Sequence, residues 1–223
     1  MKTEKPCICD PNPFQCGPGC LCAGCGCIKE RPILFSAPMV LALLAGTKTQ
    51  TRRIVKPQPK SARATTKESP VEPIELPILG DPEKEPFRAG MRLWVKETWR
   101  PLSSIRMRGR IHCIEYAADK KAEFCTAAKD WKKPKAAKTG NVSPLFMPRW
   151  ASRLTLEVTG VRIERLQEIT PTDAIAEGIQ HLYEWAQYPR RVYSQLWESI
   201  NGAGSWAANP WVWAITFKVL TEP

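Results

Sequence analysis

The stretch LLAGTKTQTRR, residues 43–53, joins an apolar helical segment to an alternating polar segment across a single glycine. The residues before it predict a helix, with Ser36 as its N-cap and Pro38 in its first turn. This helix is expected to bury one apolar stripe, formed by Met39, Val40, Leu43 and Leu44. Gly46 supplies a C-terminal stop, and the TQTRRIV run that follows alternates as a strand does. We therefore predict a helix, a turn and a strand in immediate succession.

The 223-residue chain has the composition of a folded and strongly basic protein. Hydrophobic residues make up 43% of it and nine residues are tryptophan, which is enough for a packed core. A formal net charge of +11 predicts a phosphate-bearing partner, above all RNA or DNA. No apolar run approaches the roughly 20 residues that span a bilayer, and no secretory signal is visible. We therefore expect a cytoplasmic protein with no membrane partner.

Strand patterns recur in the centre and near the end of the chain. GMRLWVKETW, residues 90–99, predicts a turn and a strand with two core-facing side chains, Leu93 and Val95. RLTLEVTGVRIERL, residues 153–166, predicts one or two strands interrupted near Gly160. PWVWAITFKV, residues 210–219, predicts a strand with one large apolar face, formed by Trp211, Trp213, Ile215, Phe217 and Val219.

Two further helices are predicted in the last third. TPTDAIAEGI, residues 170–179, has Thr170 as N-cap, Pro171 in its first position and Gly178 as its stop. PRRVYSQLWESINGAG, residues 189–204, predicts an amphipathic helix carrying Val192, Leu196, Trp197 and Ile200. The patterns indicate five or six strands, which do not alternate regularly with the helices. We therefore expect the α+β class, with a small β-barrel or strongly curved sheet and peripheral helices.

The chain divides into a Cys-rich tail, residues 1–30, and one domain, residues 31–223, with two loop insertions. The first insertion, at about 56–88, is rich in proline and has little periodicity. The second, at about 118–146, is rich in lysine and is expected to run over the surface.

Lys132 and Lys133 follow Trp131 within the second insertion. Lysines beside an aromatic ring can hold a nucleic-acid backbone while the ring stacks a base. The same composition is equally typical of a flexible, solubilising loop, and both interpretations stay open.

Seven of the nine cysteines lie in the tail. In a reducing compartment such clustering favours thiolate ligation over disulfides, and four thiolates make a tetrahedral zinc site. The alternative is a tail of unpaired thiols. Our candidate zinc ligands are Cys7, Cys9, Cys16, Cys20, Cys22, Cys25 and Cys27.

Lys48 and Thr51 lie three residues apart across the predicted turn, so both side chains could point into one cleft. The neighbouring cations Arg52 and Arg53 should lower the pKa of Lys48 and favour its neutral, basic form. A threonine hydroxyl becomes a nucleophile when an adjacent base takes its proton. The pair therefore has the groups for nucleophilic acyl transfer. An anion-binding patch or an exposed polar strand are the alternatives.

LLAGTKTQTRR also resembles the signature at the start of the ASCH domain, a PUA-like β-barrel family. In that family a helix ends in Gly-x-Lys-Thr-x-Thr followed by basic residues. Further blocks agree in order, namely GMRLWVKETW, MPRWASRLTLEV, LTLEVTGVRIERLQEITPTDAIAEGI and NPWVWAITF. The arrangement is most similar to ASCH proteins encoded in phages and prophages. The resemblance covers residues 31–55, 88–100 and 147–219.

Some small bacterial ASCH proteins are amidohydrolases that remove the acetyl group from N4-acetylcytidine. Carried onto this chain, the resemblance implies Lys48 as the base, Thr51 as the nucleophile and Glu177 as a proton shuttle or orienting carboxylate. No cofactor is required for that chemistry.

The resemblance also bears on the residues around this trio. Arg53 matches a basic position of the signature and could hold an anionic or carbonyl oxygen. Thr49 and Arg52 are predicted beside it as substrate-binding or nucleic-acid-binding residues. Arg52 stands where the small enzymes have an apolar residue, and this chain is much longer than theirs.

Two other functions fit the same residues. In a non-catalytic RNA-binding or DNA-binding module, the cations would contact phosphates and Thr51 would only donate a hydrogen bond. In a metal-stabilised adaptor, the Cys-rich tail would bind a partner protein.

Overall fold

The structure is a computed structural model. It describes residues 30–58, 86–107, 109–126, 140–179 and 188–220, and for 103–112 only the backbone. Within these residues three α-helices occur, namely α1 Ala37–Leu44, α2 Pro171–Ala176 and α3 Pro189–Asn201. The strands are β1 Glu30–Leu34, β2 Gln50–Ile54, β3 Arg92–Lys96, β4 Trp99–Met107, β5 Gly109–Tyr116, β6 Ala122–Thr126, β7 Thr155–Arg165 and β8 Trp211–Leu220. No helix of the described part is long and apolar enough to cross a membrane.

The strands form two sheets. The larger has the order β1-β3-β7-β8-β2, with β1 parallel to β3 and the other neighbours antiparallel. The smaller is the antiparallel sheet β4-β5-β6. The α+β class is confirmed. In the described ranges, however, β1 and β2 are opposite edges with no ladder between them, so the expected barrel is not found as a closed one.

The smaller sheet was not predicted. Its third strand, β6, lies inside the 118–146 segment that we expected to be a surface loop. All of its described side chains are at least partly exposed, with a burial pattern unlike that of a core strand. The sequence of β6 has little apolar alternation, so it did not predict a strand. The strand is stabilised by its ladder to β5 and not by an apolar face.

Helix α1 packs on one face of the larger sheet. Its buried side chains are Met39, Val40, Ala42 and Leu43. Met39, Val40 and Leu43 belong to a core cluster that also contains Leu93, Val95, Trp213, Ile215 and Phe217. Leu44, predicted in the same stripe, is 43% exposed because it lies about 100° further round the helix than Leu43. Gly46 ends the segment at a positive φ of 71°, as predicted.

Helices α2 and α3 cover the opposite face. Thr170 caps α2 by accepting a hydrogen bond from the backbone of Asp173, and Gly178 follows with φ 83°. Helix α3 buries Tyr193 and Trp197, which pack with Ile169 and Val212. Ile200, predicted on the buried stripe, is 61% exposed in the last turn of α3. Tyr193, which the predicted apolar stripe did not include, is buried instead.

A buried ionic cluster joins the two sheets. The Arg153 guanidinium donates to both carboxylate oxygens of Glu97, at 2.9 and 3.0 Å, and to Asp119 at 2.8 Å. It also stacks on the ring of Tyr116, 3.9 Å from the centroid. Because Glu97 is only 1% exposed, this arginine supplies the charge that makes its burial tolerable.

Candidate functional site

The turn between α1 and β2 is closed by hydrogen bonds to one carbonyl. The backbone N–H groups of Thr47 and Lys48 both donate to Ala42, at 3.0 and 3.1 Å. Lys48 then forms an isolated antiparallel bridge with Glu177, and the Thr49 N–H donates to Ala176 at 2.8 Å. The signature stretch and the end of α2 are therefore joined backbone to backbone.

Gly178 is required by this close approach. A Cβ atom there would lie 2.8 Å from the Cβ of Ala42 and 2.9 Å from that of Lys48. Its φ of 83° also favours glycine. A larger residue would push α1 and the turn away from α2.

The side chains of Lys48 and Glu177 form a buried ion pair. The Lys48 Nζ donates to Oε2 of Glu177 at 2.8 Å and to the Glu177 carbonyl at 2.8 Å. Their exposed fractions are 1% and 4%. Such a pair is held in one geometry, because the ammonium has two fixed acceptors and little water to compete for it.

Arg52 holds the other oxygen of the same carboxylate. Its guanidinium lies 3.1 Å from Oε1 of Glu177, 2.7 Å from Glu164 and 3.3 Å from Asp173. Arg162, on β7 and separated from β2 by β8, also pairs with Glu164 and Asp173, at 2.7 and 2.9 Å. Three carboxylates and two guanidiniums thus form one network.

Arg52 was predicted to contact a substrate or nucleic acid. In the structure its side chain is 0% exposed and its charge is matched by carboxylates of the fold. Arg52 is therefore placed to orient Glu177, and its contact with an external ligand stays a prediction.

The opposite face of β2 carries Thr51 and Arg53. Thr51 pairs with Ile215 and Arg53 with Trp213, so both side chains lie on the face that α1 covers. The Arg53 guanidinium donates to the carbonyl of Leu34 at 2.6 Å. Within the described part, Arg53 makes no ion pair with a carboxylate.

The ring of Phe35 lies close to both the Arg53 guanidinium and the Lys48 amine. The Arg53 Cζ lies 5.3 Å from the centroid of its ring, and the Lys48 Nζ lies 5.5 Å from the same centroid. Thr51, on the same face of β2 as Arg53, is 4% exposed. Thr49, predicted as a binding residue, is exposed at the start of the strand.

Burial is the main cause that lowers the pKa of Lys48 below its ordinary value. The charge of Glu177 opposes that shift, while Arg53 and Arg52 add to it. The sequence predicted only the effect of the two arginines, which is the smaller one. Burial likewise lowers the pKa of Arg53, against the attraction of Glu177.

Tyr193 is a site residue that sequence reasoning missed. Its hydroxyl lies 3.4 Å from Oε1 of Glu177, and its ring lies 6.0 Å from the Arg52 guanidinium. Burial and the charge of Glu177 raise its pKa, so it acts as a hydrogen-bond donor. A polar hydroxyl at a core position of α3, four residues before Trp197, was the available signal.

Glu164, Arg162 and Asp173 were also missed as site residues. On β7, Arg162 and Glu164 alternate with apolar residues and looked like the solvated side of a strand. Arg52, which pairs with Glu164 and Asp173, lies on β2. The network can therefore be recognised only when the order of the strands is known.

Several predicted residues lie outside the described part of the chain. They are Lys132 and Lys133 of the second insertion and the seven tail cysteines, Cys7, Cys9, Cys16, Cys20, Cys22, Cys25 and Cys27. Among the residues that are described, no group of three or more His, Cys, Asp or Glu side chains could hold a metal ion. The zinc site therefore stays a prediction.

No family model matches the chain, and no curated protein and no solved structure matches it either. Membership of the ASCH family is thus a hypothesis that depends on the quoted blocks of sequence and on the chemistry of the residues around Lys48.

Proposed function

We propose that this chain is an ASCH-type amidohydrolase of the phage and prophage kind, which removes the acetyl group from N4-acetylcytidine. The observation that carries the proposal is the buried contact between Lys48 and Glu177, three residues before Thr51 on the same turn and strand. The five-stranded sheet, in which Arg53 of one edge strand donates to the Leu34 carbonyl of the other, supports a PUA-like fold as the scaffold.

A lysine works as a base only when it loses its proton near neutral pH. Burial favours that loss at Lys48, and Glu177 can accept the proton or return it, since its Oε2 is 2.8 Å away. Arg52 and Tyr193 hold the other carboxylate oxygen, so Oε2 stays directed at the amine.

In the proposed reaction the neutral Lys48 amine takes the proton of the Thr51 hydroxyl, and the Thr51 oxygen forms a bond with the acetyl carbonyl carbon. The C–N4 bond then breaks, and the proton passes from Lys48 to the leaving cytosine nitrogen. A water molecule, deprotonated by Lys48, attacks the acetyl ester. The bond between the acetyl carbon and the Thr51 oxygen then breaks, and the proton that Lys48 took from the water passes to that oxygen. This restores the Thr51 hydroxyl and releases acetic acid, which ionises to acetate.

Arg53 is the cation best placed to stabilise the oxyanion. It lies on the same face of β2 as Thr51, and its described contacts are a carbonyl and an aromatic ring. A guanidinium without a carboxylate partner keeps its charge available for a developing negative oxygen.

The test is incubation of the purified full-length chain with N4-acetylcytidine, with cytidine and acetate measured by chromatography. We expect turnover by the wild type, none by Thr51→Val, and a loss of about 100- to 10,000-fold in Lys48→Met. Thr216→Val, which removes a strand hydroxyl from β8, is the matched control and should keep full activity. Circular dichroism would confirm that each variant is folded.

Absence of cytidine release by the wild type over hours would overturn the proposal. Full activity in a folded Thr51→Val variant would remove Thr51 from the mechanism. Tight binding of nucleic acid without any turnover would instead favour the non-catalytic module.

A further inference from the structure

We propose that the Phe35 ring sets the size of the acyl group that this site accepts, so that acetyl fits and longer acyl chains are excluded. The inference rests on the proposed function, because it concerns the selectivity of the same reaction. The sequence patterns did not single out Phe35 as a site residue.

The Phe35 ring is held in one place at the junction of β1 and α1. Phe35 follows the last residue of β1, and its backbone N–H donates to the carbonyl of Lys96 at 3.1 Å. Its ring packs against that of Phe217, with the two centroids 6.5 Å apart. Phe35 is only 5% exposed and belongs to the core cluster of the larger sheet. Because backbone and ring both have fixed partners, the ring resists displacement by a bulkier ligand.

This ring lies beside two groups that the proposed reaction uses. The Lys48 Nζ is 5.5 Å from the ring centroid, and the Arg53 Cζ is 5.3 Å from it. In that reaction Lys48 takes the proton of Thr51, and Arg53 holds the carbonyl oxygen of the acyl group. An acyl carbon in contact with both cations must therefore lie close to the Phe35 ring.

Little space surrounds these groups. Lys48 and Thr51 are almost fully buried, as Phe35 is. Arg53 is only partly buried, so solvent reaches the group from its side. The cytosine of the substrate would stay on that open side. The acyl chain leaves the carbonyl carbon in the direction away from N4, so it would occupy the closed side, beside the ring.

A closed apolar pocket can distinguish acyl chains that differ by a single methylene. One methylene in such a pocket changes kcat/KM by about 10- to 200-fold. The loss arises because a packed interior has no free volume, and a longer chain would have to displace the Phe35 ring from Phe217. The bonds that form and break are those of the proposed reaction, with propionate released in place of acetate.

The test is an equimolar mixture of N4-acetylcytidine and N4-propionylcytidine, incubated with the purified full-length chain, with the loss of each nucleoside followed by chromatography. The ratio of the two rates equals the ratio of the kcat/KM values, so it does not depend on how much of a variant is folded. We expect the wild type to prefer acetyl by about 10- to 200-fold, and Phe35→Ala to lose most of that preference. Phe35→Leu should lose a smaller part, because leucine keeps more of the side-chain volume. The control is Ile114→Ala, which truncates a buried side chain in the core cluster of the smaller sheet and should leave the ratio unchanged.

The inference is overturned if the wild type consumes both substrates at the same rate. It is also overturned if Ile114→Ala changes the ratio as much as Phe35→Ala does, because loosened packing would then be the cause. Loss of both activities in both Phe35 variants would assign the ring to the cytosine or to the fold, and not to the acyl chain.

The same mixture separates this inference from the proposed function. If the wild type consumes neither substrate, both fail together. Turnover of N4-acetylcytidine, with the same ratio in the wild type and the two Phe35 variants, would end this inference alone and leave the proposed function standing.

Discussion

The Nζ of Lys48 lies 2.8 Å from Oε2 of Glu177, although 129 residues separate them in the chain. Both side chains are buried, and the carboxylate is shared with Arg52 at 3.1 Å. The Glu177 carboxylate is therefore shared by two cations, of which Arg52 also pairs with Glu164 and Asp173 whereas Lys48 pairs with Glu177 alone among the described residues. This unequal sharing has consequences for stability and for the protonation of Lys48.

The first prediction concerns stability. Glu177→Gln should cost about 3–5 kcal/mol, because it removes the carboxylate that pairs with the buried Lys48 and leaves Arg52 with only Glu164 and Asp173. Lys48→Met should cost only about 1–3 kcal/mol, because Glu177 keeps its contact with Arg52. The free energy of unfolding, measured in urea, would show the difference. Equal losses in the two variants would mean that Arg52 does not hold Glu177.

The second prediction concerns pH. In the proposed mechanism the neutral Lys48 amine is the active form, so kcat/KM should rise with pH and level off below the ordinary lysine pKa of 10.5. Arg53 is among the groups that lower this pKa, so Arg53→Met should move the rise to higher pH. Arg92→Met, which removes an arginine from β3, should leave its position unchanged. A pH profile that is identical in wild type and Arg53→Met would contradict the assignment of Lys48 as the base.

The lowered pKa of Lys48 also makes the free energy of unfolding depend on pH. Between the lowered pKa of Lys48 and 10.5, the native state binds fewer protons than the unfolded chain. The contribution of Lys48 to the free energy of unfolding therefore increases with pH through that window. Urea titrations of wild type and Lys48→Met at several pH values would isolate it, and a contribution that falls with rising pH would be the wrong sign.

The third prediction concerns Gly178. Gly178→Ala should lose about 1–2 kcal/mol from its left-handed backbone and about 1–3 kcal/mol more from the clash with Ala42 and Lys48. Gly204→Ala is the matched control, since its φ is 78° but nothing lies within 4 Å of the added Cβ. Similar melting temperatures for the two variants would argue against a close approach at Gly178.

The fourth prediction compares two ion pairs. Arg153→Met should cost about 3–5 kcal/mol, because it leaves Glu97 buried without its cation. Arg100→Met breaks the pair with Glu115 on the smaller sheet, where the arginine side chain is 41% exposed, and should cost less than about 1 kcal/mol. Urea unfolding of both variants would rank them. The opposite order would show that the Arg153 cluster does not join the sheets.

The fifth prediction concerns the tail cysteines, which lie outside the described residues. We expect at least one zinc ion per chain in protein purified without added metal, measured by elemental analysis. Replacing Cys16, Cys20, Cys22 and Cys25 together by serine should remove it, whereas Cys113→Ser should not. A zinc content near zero in the wild type would end the hypothesis.

Several elements were accessible from local patterns alone. The α1 boundary at Gly46, the strand with Leu93 and Val95, and the Thr170 cap are each specified by residues within one or two turns of each other. The β4-β5-β6 sheet was not accessible, because its strands depend on pairing with each other and carry little apolar alternation.

The candidate site likewise contains residues that the sequence could single out and residues that only the structure brings together. Lys48 and Thr51 could be singled out because their types and spacing in a helix-to-strand turn suggest acyl transfer. The ion pairs of Arg52 could not be predicted, because its partners Glu164, Asp173 and Glu177 are distant in the sequence. Tyr193 was missed for a related reason, since its hydroxyl matters only beside Glu177.

By itself the sequence determined the local elements around the signature, the α+β class and the basic charge of the chain. These properties depend on side-chain periodicity, capping and composition, which act over a few residues. The tertiary structure alone decided which carboxylate meets Lys48 and Arg52, and that the edges of the larger sheet form no ladder within the described residues. The pairs of Lys48 with Glu177 and of Arg52 with Glu164 join segments more than 100 residues apart, and Coulomb forces and packing select them only once the sheet is assembled.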